Sequence, residues 1–161
     1  MSLKKFIWSI VKLPFEVFKV VFVILSAVGG ASASSNSEVK INDFHTGQTL
    51  YIISAGRVQD YRTSITLYEL KDNRFEDYKT GIILYEIKDN RIEDYRRGRT
   101  LYEIKGNYIE DYRTGQILYQ INGEYIDNYK SGVRVYQVDG LIDYTVIVVM
   151  LINEGILASG L

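Results

Sequence analysis

Thr100-Leu101-Tyr102-Glu103-Ile104-Lys105-Gly106-Asn107-Tyr108-Ile109-Glu110-Asp111-Tyr112-Arg113-Thr114-Gly115 holds two short runs, residues 100–104 and 107–112, on either side of turn residues. Tyr, Ile, Leu and Thr dominate both runs, and such side chains suit a pleated, half-buried surface, so the segment reads as a β-hairpin. It recurs along the chain. Tyr51, Tyr68, Tyr85, Tyr102, Tyr119 and Tyr136 stand 17 residues apart, and Tyr61, Tyr78, Tyr95, Tyr112 and Tyr129 keep the same spacing. Ile87, Ile104 and Ile121 repeat it, as do Gly81, Gly98, Gly115 and Gly132. Self-similarity at a fixed period marks a repeat architecture. Six units run from about residue 47 to residue 140.

The inner turn contains Asn122-Gly123 and Asp139-Gly140, pairs that tolerate the positive φ of a type I′ turn, with Lys105-Gly106 and Lys88-Asp89 at matching positions. A two-residue loop at that point pairs Ile104 with Asn107 and Tyr102 with Ile109. It also sets Glu86 opposite Arg91 and Glu69 opposite Arg74, whereas a turn one residue later sets Glu86 opposite Glu93 and Lys88 opposite Arg91. Cross-strand charge favours the first register. An odd period adds a constraint, because two even loops would turn equivalent residues to opposite faces in successive units. Arg113-Thr114-Gly115 supplies an odd outer loop closed by a glycine at positive φ, which gives Gly98 and Gly115 a structural role. Tyr102, Ile104, Ile109 and Asp111 then share one face, with Tyr85, Tyr119 and Ile87 at equivalent positions, and Leu101, Glu103, Glu110 and Tyr112 share the other. The first face is the candidate for burial and self-contact.

A β-solenoid is the rival architecture, and it would stack equivalent residues about 4.8 Å apart. Glu69, Glu86 and Glu103 would then form one column of like charge, and Asp77, Asp94 and Asp111 another. The expectation is therefore a mainly β fold, six hairpin repeats in a rolled or closed antiparallel meander. About a dozen strands in one sheet twist too far to stay flat. The first unit departs from the pattern, with Ser64 in place of the glycine and Ala55-Gly56 in its inner turn. The motif Leu-Tyr-Glu-Ile, a Gly/Asn/Asp turn, then Ile-Glu-Asp-Tyr resembles bacterial tandem-hairpin repeat proteins, including those called four-fold β-flower domains, over residues 47–140. That resemblance implies a radial or rolled hairpin fold and no particular activity.

Residues 1–31 are of another kind. Lys5, Ser9, Lys12, Glu16 and Lys19 fall on one helical stripe, while Trp8, Phe15, Phe18 and Phe22 belong to a wide apolar surface, and Pro14 predicts a kink. Such a helix can lie in a membrane interface through Lys5, Trp8, Lys12, Phe15, Phe18 and Phe22. A cleaved export signal is the alternative, with Ala31-Ser32-Ala33 as the cleavage site and a secreted product; packing on the sheet is a third use. Residues 32–46 read as a linker and residues 141–161 as an apolar cap, in which residues 146–152 are continuously apolar but too short to span a bilayer.

Composition closes off several functions. Of 161 residues, 19 are Lys or Arg and 20 Asp or Glu, a net charge of -1 that gives no global attraction to nucleic acid. No cysteine is present, so thiolate metal sites, disulfides and cysteine nucleophiles are excluded. His45, the single histidine, lies before the repeats and carries no metal-site pattern. Glu76-Asp77, Glu93-Asp94 and Glu110-Asp111 place paired acids on adjacent strand residues, which face opposite ways and recur with the period, so charge balance explains them better than catalysis. No cofactor motif occurs. The expectation is a non-enzymatic, membrane- or envelope-associated structural protein that forms homo-oligomers. The alternative is an exported binding module presenting tyrosine-lined surfaces to glycan or protein.

Overall fold

The computed structural model describes residues 38–158. Twelve strands succeed one another: β1 (Val39–Asp43), β2 (Thr49–Ser54), β3 (Arg57–Asp60), β4 (Thr66–Lys71), β5 (Arg74–Asp77), β6 (Ile83–Lys88), β7 (Arg91–Asp94), β8 (Arg99–Lys105), β9 (Tyr108–Asp111), β10 (Ile117–Asn122), β11 (Tyr125–Asn128) and β12 (Arg134–Asp139). Helix α1 (Tyr144–Asn153) follows. Every strand pairs antiparallel with its neighbours in sequence, and β1 pairs with β12, so the meander closes into a barrel and the solenoid is excluded. The sixth unit is split between the two ends of the array, its long strand being β12 and its short strand β1. Ile41 stands one period before Val58, Phe75, Ile92, Ile109 and Ile126, and all six side chains are 0% exposed. Residues 39–43 thus belong to the repeat, which corrects their assignment to the linker.

The inner turn lies one residue later than direct charge pairing suggests. Lys105 faces Tyr108, Ile104 faces Ile109 and Tyr102 faces Asp111, so the central pair is Gly106-Asn107. Glu86 accordingly faces Glu93, and Lys88 faces Arg91. Two effects outweigh the like-charge contacts. This register brings Leu70 to Phe75, Ile87 to Ile92, Ile104 to Ile109 and Ile121 to Ile126. It also lets one cation serve two acids: Lys88 Nζ lies 3.0 Å from Glu86 and 3.3 Å from Glu93, and Lys105 Nζ lies 3.3 Å from Glu103 and 2.7 Å from Glu110. Arg57, Arg74 and Arg91 face Glu69, Glu86 and Glu103, but across the outer hairpin. The first turn residue takes the positive φ required there, 54° at Asp89 and 60° at Gly106.

The odd residue of each repeat is likewise displaced, from the outer loop into a strand. Gly115 N donates to Asp111 O at 2.8 Å and Asp111 N to Gln116 O at 2.9 Å, enclosing the four residues 112–115. Ile117 then faces Glu110 while Tyr119 faces Ile109, which makes Leu118 a β-bulge. Leu50, Leu67, Leu84, Leu101 and Val135 occupy the same place in the other units. Moving the inner turn by one residue shifts the pairing by two, so the faces keep their expected sides. Tyr102, Ile104 and Ile109 are buried, and Glu103 and Glu110 are only partly so.

The lumen is filled by α1, in which all of residues 145–151 are buried. A helix apolar on every side needs protein on every side, and here the walls supply it. Tyr68, Tyr85, Tyr102, Tyr119 and Tyr136 project into the same core cluster. Asp143 caps the helix, accepting from Val146 N at 3.1 Å. The apolar segment expected to cap the last hairpin is therefore the centre of the core. No helix among the described residues is long and apolar enough to cross a membrane. The N-terminal helix and its residues Lys5, Trp8, Lys12, Phe15, Phe18 and Phe22 lie outside the described residues.

Met150→Ala should lower unfolding stability by about 2–5 kcal/mol in denaturant titration, because the side chain is fully buried in the lumen, whereas Ile82→Ala, 57% exposed, should stay within about 0.5 kcal/mol. Ser64 sits at φ 58° where Gly81, Gly98, Gly115 and Gly132 sit in other units, so Ser64→Gly should raise stability by about 1 kcal/mol, and Gly115→Val should lower it by as much, both read from thermal midpoints.

Candidate functional site

The six outer loops stand at one end of the barrel, and each is stapled at its foot. Asp43, Asp60, Asp77 and Asp111 each accept, through Oδ1, the backbone N–H and hydroxyl of the threonine three residues on, at 2.6 to 2.9 Å. Asn128 binds Ser131 in the same way, and Asp94 accepts from Arg97 N at 2.8 Å. The threonine hydrogen bonds hold the carboxyls of Asp43, Asp60, Asp77 and Asp111 below the ordinary aspartate range. The acids of the Glu-Asp pairs therefore have separate duties. Glu110 meets Lys105 on the outer wall, while Asp111 shapes a loop.

A stapled loop carries its next residues outward. Phe44, Tyr61, Tyr78, Tyr95, Tyr112 and Tyr129 follow the staple and are 41–53% exposed. The residue after each is basic: His45, Arg62, Lys79, Arg96, Arg113 and Lys130. Contacts from the short strand of the preceding unit steady the rings. Arg57 lies over Tyr78 at 5.4 Å, Arg74 over Tyr95 at 5.7 Å and Arg91 over Tyr112 at 5.2 Å. Tyr108 meets Tyr129 edge-on at 5.7 Å, and Tyr125 meets Phe44 at 5.9 Å. Residues 44–48, 61–65, 78–82, 95–98, 112–116 and 129–133 contain no acid at all. Among the described residues, Arg97 is the one loop cation in an ion pair, 3.2 Å from Asp94. Ile65, Ile82 and Val133 add exposed aliphatic surface to the same rim.

Inside that rim the mouth of the barrel is closed by the segment after α1. Tyr51 Oη donates to Asn153 Oδ1 at 2.8 Å, Asn153 Nδ2 donates to Tyr136 Oη at 2.8 Å, and Tyr136 Oη donates to Glu154. Tyr85 Oη donates to Ala158 O at 2.6 Å. Burial, then the Glu154 charge, pushes the Tyr119 hydroxyl up to about 12, and burial raises Tyr85 to about 12. These hydroxyls anchor the chain end to the barrel wall. The cleft left between Gln116, Lys130 and Ile156 measures about 210 Å3, below the usual size of a small-molecule pocket. No group of three or more metal-ligating side chains occurs among the described residues.

Tyr85, Tyr102, Tyr119, Ile87, Ile104 and Ile109 are thus brought together as lining of the lumen, and Gly98 and Gly115 close outer loops at φ 62° and 67°. The three tyrosines and three isoleucines are buried there, while the two glycines are exposed on the outer loops. The rim was missed by sequence reasoning, although its signal was available: a basic residue follows each tyrosine of the second series at the same 17-residue spacing. No family model, curated protein or solved structure matches the chain.

The lowered aspartate pKa values make stability depend on acid. A carboxyl with a folded pKa below its unfolded value of about 3.9 stabilises the fold above that pH and loses the effect as pH falls through the folded value. The thermal midpoint should therefore drop on acidification below about pH 4. Asp60→Asn/Asp77→Asn/Asp111→Asn should flatten that drop, because Asn128 makes the same bonds without a charge.

Proposed function

We propose that this is a non-enzymatic binding scaffold, associated with a membrane or cell envelope, that engages its partner through the outer-loop rim. The observation carrying this reading is the concentration of six exposed aromatic and seven basic side chains on six acid-free loops at one end of the barrel. Tyrosine and arginine are the residues that dominate binding hot spots, and staples and ring contacts hold them in place before any partner arrives. The rest of the surface offers less. The even strands and the closed ring leave no free edge for a second copy to extend. The tyrosine and isoleucine face that argued for self-association is covered by α1. A binding module is accordingly preferred to a self-assembling structural protein, and residues 1–31 are proposed to bring it to the membrane.

Cosedimentation of the full-length protein with isolated envelope material tests this reading. Tyr78→Ser/Tyr95→Ser/Tyr112→Ser should keep the circular dichroism spectrum and a cooperative melt while weakening binding by about tenfold or more. A folded triple variant that binds as the parent does would overturn it.

A further inference from the structure

We infer that the partner of the rim is the anionic surface of a lipid bilayer, an assignment that rests on reading the rim as a binding surface. The first argument is shape. Closure of the barrel sets six loops of equivalent geometry around one end, a ring suited to a broad, level surface, and the cleft between Gln116, Lys130 and Ile156 is small for a compact ligand. The rings of Tyr78, Tyr95 and Tyr112 also have one face covered by arginine, which leaves less aromatic surface for stacking on sugars.

Chemistry is the second argument. Tyrosine with scattered Ile and Val suits the boundary between headgroups and acyl chains, and lysine and arginine beside it are drawn to anionic headgroups. Arg62, Lys79, Arg96, Arg97, Arg113 and Lys130 stand on the loops themselves, while the five aspartates at the loop feet are each turned into their loops by hydrogen bonds and Glu154 is set back in the mouth against Tyr136. Positive charge is concentrated on the side from Arg96 to Lys130, where Arg97 is an additional cation and Asn128 replaces an aspartate. Contact is confined to one end. The outer wall carries rows such as Glu69, Glu86 and Glu103 beside Arg57, Arg74 and Arg91, which no lipid-spanning barrel could present to hydrocarbon. The opposite end mixes Lys71, Lys88 and Lys105 with Asp72, Asp89, Glu124 and Asp139, a patchwork and not the continuous anionic surface that a lipid face provides.

The absence of cysteine gives a direct test on the full chain, since any introduced thiol is the sole site of labelling. Gln116→Cys places a polarity-sensitive fluorophore on the rim, and Asn107→Cys places one on an inner turn at the other end. With vesicles of phosphatidylcholine and phosphatidylserine, the label at 116 should shift to the blue, the label at 107 should not, and added salt should reverse the effect. Vesicles of phosphatidylcholine alone should give a smaller shift. Flotation of the chain without a shift at 116 assigns attachment to another segment and overturns the inference, as do equal shifts at both labels or equal shifts on both vesicles. If the serine variant loses envelope binding while the label at 116 stays silent, the rim is still the binding surface and its partner is a protein or glycan instead.

Discussion

A repeat of odd length cannot keep one face inward unless one residue in every unit falls out of step. In this barrel that residue is the bulge at Leu50, Leu67, Leu84, Leu101, Leu118 and Val135. It restores the alternation, so that Tyr102, Ile104, Ile109 and their equivalents point inward while Arg91, Glu103, Glu110 and theirs point outward. Bulges also sharpen local twist, which helps a thin sheet curve towards closure. The backbone carbonyl of the bulged residue carries on the ladder with the strand on its other side. Leu101 O accepts from Tyr112 N at 2.9 Å, and the same bond joins Leu50 to Tyr61, Leu67 to Tyr78, Leu84 to Tyr95, and Leu118 to Tyr129. Each bulge therefore also fixes where the neighbouring outer loop begins.

The two tyrosine series divide the work of the protein between them. The first lines the lumen, where its hydroxyls find Asn153, Glu154 and backbone carbonyls, as buried phenols must. The second sits beyond the strand ends, where the ring is held by a neighbour but remains accessible. One residue type thus builds both the core and the display surface, and position relative to the bulge decides which.

Period, hairpins, faces and closure were legible in the sequence, because they depend on alternation and turn chemistry that persist across units. The inner-turn register was not. The charge rule used for it supposes one opposing partner for each side chain, while Lys88 and Lys105 each reach two acids and the arginines bind across the other hairpin. β1 escaped notice because its unit has Phe44 where others have tyrosine and because its partner strand lies at the far end of the array. Residues 146–152 gave no sign of being enclosed by strands, since an apolar run looks the same in a cap and in a lumen. The rim was overlooked for a related reason: loops were judged by their turn geometry, not by what stands on them.

Closing the ring with a split unit, and filling it with one helix, also limits how such a gene can change. In open repeat arrays a duplicated unit lengthens the stack and leaves the others as they were. Here an added or deleted unit would alter the circumference by two strands, and barrel diameter grows roughly in step with strand number. The helix, about 10 Å across with its side chains, would then be crushed or left loose. Copy number is therefore bound to the girth of α1, and the barrel can diverge by substitution within its units far more readily than by gaining or losing one.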